Sequence, residues 1–134
     1  MPIGFKVDHE RRLVYSWGVE RFTDDDVFAY QRNVWSRADV QGYDELVDMT
    51  DVKEIAVPSG ERVRDLAKLS VTMDAPRESK FAIVAPSDFA FGLGRMYEAY
   101  RGLEQGSKKQ VQVFRSLEDA LIFLGLDRDP PSRI

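Results

Sequence analysis

The sequence predicts an α/β fold with a largely parallel sheet, opened by an antiparallel hairpin. Three observations predict it. Short apolar segments alternate along the chain with longer stretches whose apolar residues recur at helical spacing. The helical stretches follow Ser or Thr and stop at Gly or Pro. The chain has 134 residues, 43% of them hydrophobic, and folding removes about two-thirds of the unfolded surface of such a chain from water, enough for one core without staples.

Ile3, Phe5 and Val7 alternate with polar neighbours, Asp8-His9-Glu10-Arg11 interrupts, and Leu13, Tyr15, Trp17 and Val19 resume the alternation. This is a hairpin pattern. Thr23 then offers a helix cap, with Asp24, Asp25 and Asp26 in the first turn, where carboxylates suit the positive end of the helix dipole. Val27, Tyr30, Val34, Trp35 and Ala38 predict a first helix of about four turns ending near Gly42. Glu45-Leu46-Val47-Asp48-Met49-Thr50 reads as a strand covered on both faces. After Pro58-Ser59-Gly60, a stripe of Val63, Leu66, Ala67, Ser70 and Met73 predicts a second helix that Pro76 stops.

Phe81-Ala82-Ile83-Val84-Ala85, the most apolar stretch, is expected to be a central strand. Pro86-Ser87-Asp88 starts a third helix with Phe89, Leu93, Met96, Tyr97, Tyr100 and Leu103 expected inward and Gly106 at its end. Val111-Gln112-Val113-Phe114 is the last strand, and Ser116-Leu117-Glu118-Asp119 opens a last helix that buries Ala120, Leu121 and Leu124. The order is strand, strand, helix, then strand and helix three times, which demands right-handed crossovers. One domain over residues 1–126 is expected, with residues 127–134 a frayed tail because Pro130-Pro131 cannot continue a helix.

Composition narrows the function classes. With no cysteine and one histidine, disulfide, zinc-finger and multi-histidine zinc chemistry are excluded, and no metal or cofactor is expected. A net charge of −4 opposes general binding to nucleic acid, which needs clustered Lys and Arg. No apolar run approaches the ~20 residues of a bilayer span, and Met1-Pro2-Ile3-Gly4-Phe5-Lys6 lacks a signal-peptide core. A cytoplasmic protein is the resulting expectation.

Ser59 stands just before the second helix. It serves as a cap, or as a phosphoacceptor whose phosphate would face unpaired N–H groups with Arg62 or Arg64 in reach. Phe91-Gly92-Leu93-Gly94-Arg95-Met96 lacks the third glycine and the Gly-Lys ending of phosphate loops, so its small residues serve close approach of helix to sheet. Arg95 is available to an anion or a partner carboxylate. Asp48, Asp51 and Glu54 sit at the strand edge where α/β sheets place ligands. His9 belongs to an exposed turn, and Lys108-Lys109 reads as a loop feature. Tyr15, Trp17, Tyr30, Trp35, Phe89, Phe91 and Tyr97 fill a core or line an apolar pocket.

Leu46-Val47-Asp48-Met49-Thr50-Asp51-Val52, Pro58-Ser59-Gly60, Phe81 to Asp88 running into Phe91-Gly92-Leu93-Gly94-Arg95-Met96, and Val113 to Ala120 carry a resemblance in their order and spacing. In these segments the chain resembles the SpoIIAA-like family, relatives of the STAS domains of anti-sigma-factor antagonists. The resemblance implies a sheet of four or five strands flanked by about four helices, used as a non-enzymatic regulatory module that contacts a protein partner. In STAS antagonists an Asp-Ser-Ser-Gly stretch carries the phosphorylated serine. Ser59-Gly60 matches its last two positions, and Val57-Pro58 replace the first two. A related branch looks similar to Sec14-type domains, which implies the alternative of a carrier for an apolar ligand or lipid, with an enclosed cavity. Ser59 is thus the candidate phosphoacceptor, and Asp48, Arg62, Ser87 and Arg95 the candidate ligand- or partner-binding residues. The hairpin's open edge invites pairing into a homodimer.

Overall fold

The computed structural model describes residues 3–134. Strands β1 (Gly4–Asp8) and β2 (Leu13–Trp17) form the hairpin, followed by β3 (Glu20–Thr23), α1 (Asp24–Val34), a 3-10 turn at Ala38–Val40, β4 (Asp44–Asp48) and β5 (Val52–Ala56). Then come α2 (Gly60–Met73), β6 (Ser79–Val84), α3 (Asp88–Gly102), β7 (Lys109–Phe114) and α4 (Leu117–Leu124). The main sheet has the order β1-β2-β4-β6-β7. Only its first pair is antiparallel. Since β2, β4, β6 and β7 are laid down from one side to the other, right-handed crossovers put α1, α2 and α3 on a single face. The expected α/β architecture, with its hairpin and four helices, is the one observed.

Strand alternation distributes the core. Leu13, Tyr15, Leu46, Ala82 and Val84 point to the face covered by Ala120 and Leu124 of α4. Their neighbours point the other way: Val14 meets Tyr30, Val34 and Trp35 around α1, and Val47, Phe81, Ile83 and Val113 meet α2 and α3. Leu46 and Val84, in the interior strands β4 and β6, are 0% and 1% exposed. Burial of each is worth about 1.5–3 kcal/mol. Four helices begin as expected, with Thr23, Ser59, Ser87 and Ser116 each accepting a main-chain N–H from three residues on.

Three expectations are corrected. First, β3 and β5 pair in parallel as a separate two-stranded sheet; their charged side chains hid them, and the structure pairs Arg21 with Glu54 at 3.8 Å and Glu20 with Lys53 at 3.5 Å. Second, α1 stops at Val34, well before Gly42, because Trp35 turns its indole N–H into the interior toward Glu45, 3.2 Å away. Gly42 instead makes the left-handed turn (φ +79°) that delivers the chain into β4.

Third, α3 buries Ala90, Gly94, Tyr97 and Arg101, while Phe89, Met96 and Leu103 are 61%, 37% and 77% exposed. Small residues set this rotation: a Cβ on Gly94 would lie 3.0 Å from Val113 Cγ1, so the helix rides on its glycine close to β7. Residues 127–134 form neither helix nor strand, and side chains of the hairpin reach them at the surface. Arg11 Nη1 donates to the Arg128 carbonyl at 3.3 Å, and Lys6 Nζ donates to the Ile134 main-chain oxygen at 2.7 Å. Two prolines forbid a helix, yet they favour an extended arm.

Candidate functional site

Beneath α1, α2 and α3 the helical face of the sheet is incompletely filled. A chamber of about 110 Å³, partly open to solvent, remains, walled by apolar side chains that include Phe22, Phe28, Ile55, Leu66, Ile83 and Leu93. The unforeseen β3–β5 pair supplies Phe22 and Ile55, so the small sheet is one wall of the chamber.

Charged groups reach the wall in two places, and both are already paired. Glu45 is 3% exposed. It accepts from the Tyr30 hydroxyl at 2.7 Å, from Trp35 Nε1 at 3.2 Å and from Lys109 Nζ at 3.4 Å. The Lys109 ammonium also lies 3.8 Å from the centre of the Trp35 ring. Ser16 Oγ donates to the Tyr30 oxygen at 2.6 Å. Burial first, and the negative charge of Glu45 second, hold the Tyr30 phenol well above its ordinary pKa, so it remains a donor. The second place is the edge between α1 and α2, where Arg62 Nε donates to Asp24 at 2.7 Å and Nη2 to Asp25 at 3.2 Å. Its guanidinium carbon lies 4.2 Å from the Phe28 ring centre. The bond from Arg62 keeps the Asp24 carboxyl below its usual pKa.

The candidate residues fall into separate places. Ser59 is exposed and accepts the Arg62 main-chain N–H at 3.4 Å. Ser87 caps α3 through the Ala90 N–H at 3.2 Å. Arg95 is exposed on α3, and Arg62 alone of the five lines the chamber. Asp48 points to the opposite face of the sheet. Its Oδ1 accepts from the Thr50 N–H at 2.9 Å and from the Thr50 hydroxyl. Its Oδ2 accepts from Arg133 Nη2 at 3.3 Å.

Sequence reasoning missed two constellations. Lys109, read as part of a loop, starts β7 and neutralises Glu45 from the interior; the signal was an acid inside an apolar strand, which requires a partner. Arg133, assigned to a frayed tail, lies against Tyr15, Trp17, Asp48 and Asp51. Nothing local announced it. Among the described residues no group of three or more His or carboxylate side chains is placed to hold a metal ion, and no described helix is long and apolar enough to cross a membrane.

No protein-family model matches the chain, and no curated protein matches it. Among solved structures it is similar to an uncharacterized protein of the DUF3478 family with a SpoIIAA-like fold from Shewanella loihica PV-4. The two share 13% sequence identity over 92% of this chain and 94% of that one, with a TM-score of 0.57. Geometry and comparison agree on the architecture the sequence resembled: this chain has the SpoIIAA-like fold.

Proposed function

We propose that the protein binds a small, uncharged apolar ligand in the chamber under α1, α2 and α3, and holds it without transforming it. The chamber itself carries this reading, because its walls are apolar and its charged neighbours, Glu45 and Arg62, are already neutralised by Lys109 and by Asp24 and Asp25. An apolar cavity of about 150 Å³ stays dry and holds benzene. At about 110 Å³ the fitting occupant is one ring or a short chain, smaller than the lipid that a Sec14-type carrier would take. Toluene is a suitable probe. Titrated into the isotopically labelled protein, it is expected to shift the methyl resonances of Val47 and Ile83 with a Kd on the order of 0.1–1 mM. Ala90→Leu, which puts a larger side chain into the wall, is expected to weaken binding at least about tenfold and to cost about 1–3 kcal/mol of stability, so binding is compared at a temperature where both proteins are folded. Unmoved methyl signals at saturating toluene would refute the reading.

A second reading, a regulatory contact with a protein partner, draws on a different observation. Phe89, Met96 and Leu103 are exposed at seven-residue intervals along α3 and its C-cap, which places them in one stripe. In this reading Ser59 is where phosphorylation would act. The phosphate would draw on the main-chain N–H groups that open α2, since the Arg62 guanidinium is already engaged by Asp24 and Asp25.

A further inference from the structure

We propose that Tyr15, Trp17, Asp48 and Asp51 form a guanidinium-recognition site that the chain's own Arg133 fills, so that residues 127–134 are a displaceable plug. The site lies across the sheet from the chamber, on the face covered by α4, and is independent of the ligand reading above.

Its parts are those that guanidinium recognition requires. Arg133 Nε donates to the Tyr15 hydroxyl at 3.0 Å, Nη1 to Asp51 Oδ2 at 2.8 Å and Nη2 to Asp48 Oδ2 at 3.3 Å. All three nitrogens of the planar fork are thereby used, which an ammonium cannot do. The guanidinium carbon lies 5.1 Å from the Trp17 ring centre and 5.6 Å from that of Tyr15, within cation–π range. The Asp48 side chain is 7% exposed, and its Oδ1 is occupied by Thr50, so Oδ2 is fixed in place before any cation arrives. Arg133 is its cationic partner. A buried carboxylate left alone is costly, which gives the vacated site a strong demand for another cation of the same shape.

The plug is held lightly. It has no helix or strand, the Arg133 side chain is 31% exposed, and its other anchors, the Arg128–Glu10 pair at 3.6 Å, the Arg11 bond to the Arg128 carbonyl and the Lys6 bond to Ile134, lie at the surface. Exposed pairs of this kind contribute little. Tethering keeps Arg133 at an effective concentration in the millimolar range, and a competing arginine side chain with additional contacts displaces it.

The test uses the full chain with Arg133→Ala, titrated with arginine amide and, separately, with a peptide of residues 127–134, followed by calorimetry and by the Trp17 indole N–H resonance. Arg133→Ala is expected to bind arginine amide about tenfold more tightly than the parent protein and more tightly than it binds lysine amide. Asp48→Asn or Trp17→Leu added to that background is expected to remove most of the gain. Arg133→Lys, which keeps the charge and loses the fork, is expected to fall between parent and Arg133→Ala, and supplies the comparison if the alanine variant folds poorly. Tighter binding of the peptide assigns the site to a chain-borne arginine, and equal binding assigns it to any free guanidinium. Equal affinities of parent and Arg133→Ala for arginine amide, or no preference over lysine amide, overturn the proposal.

Discussion

At the scale of single residues, Glu45 shows how a charge is made tolerable inside a sheet. Taken alone, a carboxylate at 3% exposure would be costly to bury. Here it is surrounded by the Tyr30 hydroxyl, the Trp35 indole N–H and the Lys109 ammonium, each of which donates to it. Removing one member is therefore much worse than a surface change. Lys109→Met keeps the bulk but leaves the carboxylate without its counter-charge, and is expected to cost about 3–5 kcal/mol. A thermal melt should show Tm falling by roughly 10–15 °C; a loss below about 3 °C would mean that the pair is solvated in solution. Arg62 and Asp24 make the contrasting case. Their pair is partly exposed, and the carboxyl's lowered pKa stabilises the fold fully above the ordinary carboxylate range and ceases to do so as pH falls through the lowered value.

At the scale of elements, α3 separates pattern from packing. Of the apolar residues at 89, 93, 96, 97, 100 and 103 that spacing alone turns inward, Tyr97 is buried and Leu93 and Tyr100 pack on the core, whereas Phe89, Met96 and Leu103 are exposed and the helix turns Ala90 and Gly94 to the sheet in their place. Periodicity reports where apolar residues cluster, whereas closest approach is set by the smallest side chains, and a glycine against Val113 permits a contact that leucine or phenylalanine would block. The rotation is measurable. Phe89→Ser with Leu103→Ser is expected to change stability by no more than about 0.5 kcal/mol per site in urea unfolding, against about 3–5 kcal/mol for a large core aromatic truncated to alanine. A large loss would restore the inward assignment. The β3–β5 pair was illegible for the opposite reason: strands Glu20–Thr23 and Val52–Ala56 are short and charged, and main-chain pairing between distant segments leaves little trace in either one.

For the whole molecule, stability should be graded across the sheet. Strands β4 and β6 have a neighbour on each side and helices on both faces, whereas β3 and β5 pair only with each other. Amide hydrogen exchange is expected to be slower in Leu46, Val47, Ala82 and Ile83 than in the β3–β5 ladder by at least about 100-fold; equal rates would mean that the small sheet opens only with the whole fold. The sequence by itself determined the type and order of the main strands and helices and the four serine or threonine caps, because alternation, helical period and capping are written within a few consecutive residues. Only the tertiary structure decided the features on which the proposed functions rest. Glu45 meets Lys109 from 64 positions away, and Arg133 reaches Tyr15 from 118. The chamber is the space that three helices and a small sheet fail to fill. Such pairings and voids depend on how complete elements are placed against one another, a property no local window contains.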